Sequence, residues 1–162
     1  LFVVQPFIVS GESMYPTFEN RDYLIVDALT HHMGDPKRGE VVVFKYPYED
    51  KRYFIKRVIG LPGETVEIVE GSVHITNKEN PNGFTLNEPY TKLYSDGSKK
   101  VTLSDDEFFV MGDNRPVSSD SRVWGPLNRE YLVGHPLIRL FPLEHISFFP
   151  GKLNSFKEIS ND

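Results

Sequence analysis

Tyr53-Phe54-Ile55-Lys56-Arg57-Val58-Ile59 is closed by Leu61-Pro62-Gly63 and followed by Thr65-Val66-Glu67-Ile68-Val69-Glu70-Gly71-Ser72-Val73-His74-Ile75. Both runs are short, rich in β-branched and aromatic residues, and bounded by turn formers, which is the pattern of strands. The second run breaks at Glu70-Gly71 and reads as a hairpin. The same rhythm extends outward. Tyr23-Leu24-Ile25-Val26 lies upstream, and Val41-Val42-Val43-Phe44 follows the turn signal Lys37-Arg38-Gly39. Phe108-Phe109-Val110-Met111 and Leu137-Ile138-Arg139-Leu140-Phe141 lie downstream. Helix signals are sparse; Asn128 is placed to cap one short turn through Leu132.

The chain has 162 residues, 39% hydrophobic content and a net charge of −5. That length suffices for one core carrying a smaller lobe. The acidic balance argues against a nucleic-acid partner, which calls for a basic face. There is no cysteine, so disulfides, cysteine catalysis and thiolate–zinc sites are excluded. His31, His32, His74, His135 and His145 lack metal-ligand spacing with acidic partners, and His31-His32 reads as solvated. No stretch reaches the roughly 20 apolar residues of a membrane span. The opening Leu1-Phe2-Val3-Val4-Gln5-Pro6-Phe7-Ile8-Val9 reads either as a buried first strand or as the exit from an upstream anchor onto a lipid surface.

Three phrases carry chemistry. The first is Ser10-Gly11-Glu12-Ser13-Met14-Tyr15-Pro16-Thr17, in which Gly11 permits close backbone approach and Pro16 stiffens the exit. Such a turn can aim N–H groups at one point, as an oxyanion hole requires. The second is the Lys56 strand. Alternation puts Phe54, Lys56 and Val58 on one face and Tyr53, Ile55, Arg57 and Ile59 on the other. One of the two adjacent cations is therefore expected in solvent and the other half-buried. A free lysine titrates near 10.4 and serves as a base only if apolar neighbours depress that value. The third is Gly112-Asp113-Asn114-Arg115-Pro116-Val117-Ser118-Ser119-Asp120-Ser121-Arg122-Val123-Trp124-Gly125. Its serines can orient a neutral amine without adding charge, whereas a carboxylate would favour the ammonium. Asp120 and Arg122 can brace the loop from behind.

Together these phrases resemble those of the bacterial type I signal peptidases, membrane-anchored Ser-Lys proteases that remove signal peptides from exported proteins. The likeness covers most of residues 6–145 and includes Arg38-Gly39-Glu40-Val41-Val42-Val43-Phe44. It implies a mainly β fold, with antiparallel sheets forming a catalytic core (1–70 and 104–150), a smaller inserted β lobe (71–103) and a polar tail (151–162). It implies Ser13 as nucleophile, Lys56 as general base and Ser118 as the hydroxyl that orients the lysine. The oxyanion hole falls to Ser13 and Gly11. Many relatives carry a serine at the position of Gly11, so the second donor is open. Asp113, Asn114, Arg115, Asp120 and Arg122 become structural support. No metal or cofactor is implied. The implied substrate is a preprotein with small residues at the first and third positions before the cut. The implied place is the extracytoplasmic face of the bacterial cytoplasmic membrane, with contact to the membrane surface through the N-terminal apolar segment. Oligomeric state is left open.

Two other readings differ in class. An autocleaving repressor shares the Ser-Lys pattern but needs an Ala-Gly cleavage site, and the single alanine here is Ala28. A non-catalytic peptide-binding β module would have no use for Ser13, Lys56 and Ser118 together.

Overall fold

A computed structural model of the protein describes residues 3–28, 34–153 and 158–160. His31 and His32 lie outside the described residues, as do Leu1 and Phe2. The architecture is mainly β, with every strand pair antiparallel. The larger sheet contains β1 (Val4–Ile8), β2 (Tyr23–Ala28), β3 (Val41–Lys45), β4 (Tyr53–Gly60), β9 (Glu107–Met111), β10 (Leu127–Asn128), β11 (Leu132–Phe141) and β12 (Ser147–Phe148). Its order is β1-β2-β11-β3-β4-β9-β10, with β12 on the side of β11. The smaller sheet contains β5 (Thr65–Val69), β6 (Ser72–Thr76), β7 (Phe84–Leu86), β8 (Lys99–Thr102) and β13 (Glu158–Ser160), in the order β13-β7-β6-β5-β8.

The uninterrupted apolar run of β3 is buried on both faces. Val41 and Val43 pack with Met14, Phe18, Leu24 and Val26, while Val42 and Phe44 pack with Val58, Phe108, Val110 and Leu127. A continuous apolar strand is what a sheet covered on both sides requires. A third cluster joins the sheets, because Ile59, Phe109 and Met111 pack with Val66, Ile68, Val73, Ile75 and Phe84. Gly60 marks the passage from one sheet to the other. A Cβ there would lie 2.5 Å from Val66 Cγ2 and 3.0 Å from Phe109 Cβ.

The smaller sheet begins at Thr65, ahead of the lobe boundary at 71, since β5 pairs with β6 along its length and with β8 from Thr65 to Ile68. The turn at Glu70 and Gly71 has positive φ at both residues, as a two-residue hairpin demands. The stretch 77–100, polar in sequence, still supplies β7 and the start of β8. In the tail, β13 pairs with β7. The first strand is not buried. Val4 is 50% and Ile8 66% exposed, because β1 pairs only with β2 and forms the rim. Asn128 does cap a 3₁₀ turn, accepting from the Glu130 N–H at 3.0 Å. Among the described residues no helix is long and apolar enough to cross a membrane.

Two features of the larger sheet create the site. β9 joins β4 only from Arg57 onward, so the half-strand Tyr53–Lys56 pairs with β3 and keeps its other edge open. The rim strand β1 stands near that open edge, with the Phe7 and Tyr53 rings 5.2 Å apart.

Candidate active site

Between the end of β1 and the open half of β4 lies a cavity of about 260 Å³. Ser13, Lys56, Ile8, Val9, Ile55 and Ser119 are among its walls. Ser13 Oγ and Lys56 Nζ are 2.8 Å apart at its floor. The amine also donates to the Ile55 carbonyl at 3.1 Å, and it lies 4.9 Å from the Phe54 ring centroid. Lys56 is only 4% exposed. Burial lowers its pKa from the ordinary 10.5 to about 8, although the Asp120 and Asp113 carboxylates pull it back up. Arg52 adds a smaller downward push.

The serine loop is held by the turn that follows β9. The Asn114 N–H donates to Ser13 O at 2.9 Å, and Asn114 Nδ2 donates to Glu12 O at 3.0 Å. Met14 is buried and its Sδ accepts from the Asp113 N–H at 3.4 Å. The Thr17 hydroxyl donates to Asp113 Oδ2 at 2.6 Å. Asp113 is in turn clamped by Arg57, with Nε–Oδ1 at 2.8 Å and Nη2–Oδ2 at 2.6 Å. Arg57 also donates to the carbonyls of Gly39 and Gly151 and lies 4.1 Å from the Tyr90 ring centroid.

This arrangement corrects the expectation that one of the two adjacent cations faces solvent. Arg57 is 1% exposed, so both are buried, on opposite faces of a strand covered on both sides. They survive burial differently. Arg57 keeps its charge through a bidentate carboxylate. Among the described residues Lys56 has no carboxylate within hydrogen-bond reach, so burial weakens its hold on the proton.

The remaining support residues form a second layer. Arg122 grips Asp120 at 2.9 and 3.0 Å, and Asp120 accepts from the Gly112 N–H at 3.0 Å. Arg115 donates to Glu88 Oε1 at 2.5 Å and to the Gly112 carbonyl at 2.9 Å. Asp113, Arg115 and Asp120 are all buried, so this loop is a scaffold rather than a solvated charge cluster. The four-residue helix α1 (Ser121–Trp124), absent from the sequence reading, is capped by Asp120.

Two expected roles meet a different geometry. The Gly11 N–H, assigned to the oxyanion hole, donates to Asn20 Oδ1 at 3.0 Å. Gly11 is needed instead for its backbone, with φ +89. The Ser118 hydroxyl, expected to orient the lysine, is buried and makes no hydrogen bond among the described residues. It packs against Gly112, where a Cβ would stand 2.2 Å from Ser118 Oγ and 2.5 Å from the Ser13 carbonyl. The lysine's second partner is Ile55 O, a contact to its own strand neighbour that no sequence signal announces. Thr17 and Glu88 were also missed. Thr17 stood within the quoted serine phrase, but its partner is 96 positions away. Of the histidines, His74 Nδ1 bonds the Thr85 hydroxyl at 2.8 Å in the smaller sheet, and His135 and His145 sit on or beyond β11.

A family model described as "Signal peptidase, peptidase S26" matches residues 1–141. A probable signal peptidase I-1 of Synechocystis sp. is 38% identical, over 96% of this chain and 78% of its own length. A signal peptidase I of Leptolyngbya laminosa is 39% identical, over 90% of this chain and 72% of its own. The crystal structure of a signal peptidase I from Enterococcus faecalis V583 superposes with a TM-score of 0.53 at 30% identity, covering 63% of this chain and 97% of that one. With a family match across most of its length and relatives above 35% identity, the chain belongs to the signal peptidase family, peptidase S26.

Proposed function

We propose that the protein is a Ser-Lys endopeptidase that cleaves signal peptides from exported preproteins. The observation that carries this reading is the 2.8 Å contact between a serine hydroxyl and a buried amine whose pKa is lowered to about 8. The neutral Lys56 amine accepts the Ser13 hydroxyl proton as Oγ attacks the scissile carbonyl. The ammonium so formed protonates the leaving amine, and the acyl-enzyme ester remains. Lys56 then takes a proton from water as the water oxygen attacks the acyl carbon, and returns that proton to Ser13 Oγ as the ester C–O bond breaks. The Ser13 N–H has no protein acceptor among the described residues and is available to the oxyanion. The unpartnered Ser118 hydroxyl is the group we assign to holding the lysine as it gains its proton.

The substrate pairs in extended form with the open edge of Tyr53–Lys56 and the rim of β1. Alternate side chains then enter the cavity, where Ile8, Val9, Leu24, Val43 and Ile55 leave room for small residues at the first and third positions before the cut. The exposed rim strand fits contact with the membrane surface, on the extracytoplasmic face of a bacterial cytoplasmic membrane. The larger sheet serves as the catalytic core and the smaller as an inserted lobe.

The test is cleavage of a signal-peptide mimic with alanine at those two positions, with the new N-terminus sequenced. Cleavage after the second alanine is expected. Ser13→Ala and Lys56→Arg should both be inactive with unchanged circular dichroism, since arginine stays protonated. Normal turnover by Lys56→Arg would remove the base assignment.

A further inference from the structure

We propose that Arg52 is a positioning residue for the protease site, a fixed cation at the cavity mouth that disfavours the ammonium form of Lys56. The inference rests on the reading of Lys56 as the base. Arg52 immediately precedes β4 and continues its alternation, so Arg52, Phe54 and Lys56 form one row on one face. The Arg52 guanidinium carbon is 5.1 Å from the Phe54 ring centroid, and Lys56 Nζ is 4.9 Å from the same centroid. The two cationic centres are therefore within about 10 Å, sharing one aromatic ring and lining one cavity. Arg52 does not drift: Glu49 accepts from Nη1 at 2.6 Å, and the guanidinium also lies 5.8 Å from the Tyr46 ring centroid.

The two cations differ in who yields. Arg52 has 54% of its side chain in solvent and stays charged at any working pH. Lys56 is buried and titratable, so their mutual repulsion falls on the lysine's proton. The other charges near Lys56 are Asp113 and Asp120 from the loop after β9, Glu12 from the serine loop, and Arg57 on its own strand. Asp113 and Asp120, each paired with an arginine, still act on the lysine in the opposite direction and more strongly than Arg52. Arg52, in contrast, is balanced among the described residues by Glu49, whose side chain is 55% exposed. That makes the Arg52–Glu49 pair adjustable: weakening one partner changes the field at the amine.

At about 10 Å and an effective dielectric between that of a protein surface and water, removing the charge should raise the lysine pKa by roughly half a pH unit, to at most about one. The experiment is the pH dependence of kcat/KM with an uncharged substrate, alongside an NMR titration of ¹³Cε-lysine-labelled protein in which Lys56 is assigned by its loss in Lys56→Met. Arg52→Gln should move the acid limb and the Lys56 titration upward together, Arg52→Glu further, and Arg52→Lys not at all. Glu49→Gln should move both downward. At pH 7 Arg52→Gln should lose about threefold in kcat/KM, and at alkaline pH nothing. The differences should shrink in 1 M salt. A role in packing alone would lower activity at every pH without moving the titration. If Lys56 titrates near 8 in the parent and Arg52→Gln and Arg52→Glu leave it there, the inference falls and the Ser-Lys reading stands. If no lysine titrates below about 10, both fall.

Discussion

Replacing Lys56 with methionine should abolish cleavage and, at neutral pH, stabilise the fold. The depression from 10.5 to about 8 means that holding the ammonium in its buried site costs about 3 kcal/mol at pH 7. The sign follows from proton binding. Between pH 8 and 10.5 the unfolded chain holds the proton and the folded chain does not, so the parent gains stability as pH rises through that window. Below about 8 the penalty is present in full; above about 10.5 it is gone. Lys56→Met never bears it. Methionine forfeits the contacts to Ser13 Oγ and Ile55 O, worth on the order of 1 kcal/mol each, but that loss changes little with pH. Urea denaturation of the two proteins at pH 7 and at pH 10.5 isolates the charge. The advantage of Lys56→Met should shrink by about 3 kcal/mol between the two conditions. A difference that stays constant would mean that Lys56 is not held against its charge, and the reason for its neutrality would be lost.

Two further outcomes follow from the scaffold. Asp113→Ala strands the Arg57 guanidinium in a site where it is 1% exposed, so urea or thermal unfolding should report a loss of about 3–5 kcal/mol. The double change Arg57→Met with Asp113→Leu should recover most of that stability but not the activity, because Thr17 would still lack its anchor. A drop below 1 kcal/mol in the single variant would contradict the buried-pair account. Gly112→Ala forces a methyl group against Ser118 Oγ and the Ser13 carbonyl, so kcat should fall at least tenfold. Unfolding should show a loss of about 1–3 kcal/mol from overpacking; unchanged kcat would show that the serine loop tolerates displacement.

Strand chemistry was legible where local pattern dominates. The β5–β6 hairpin and the runs that became β2, β3, β4 and β9 carry their own periodicity and turn residues. Elements were missed where the partner does the work. β7 and β8 sit in a polar stretch and are ordered by pairing to the hairpin. The lobe boundary expected at 71 falls inside the β5–β6 hairpin, whereas the chain passes between the sheets at Gly60, a position set by close approach of Val66 and Phe109. Ser13 and Lys56 stood out because each sits in a phrase dense with unusual residues. Gly11 illustrates the limit, since its phrase does not say that its N–H is spent on Asn20.

From the sequence alone came a strand-rich chain, free of cysteine, with a serine loop, a lysine strand and a charged loop in fixed order. Those follow from local propensity and residue chemistry, which act over a few positions. Tertiary structure decided that β9 leaves the Tyr53–Lys56 edge open, that Arg57 is buried with Asp113, and that an amine 43 positions from the serine comes within 2.8 Å of it. Those depend on how a curled sheet brings distant strands together and on which charges find partners once water is gone.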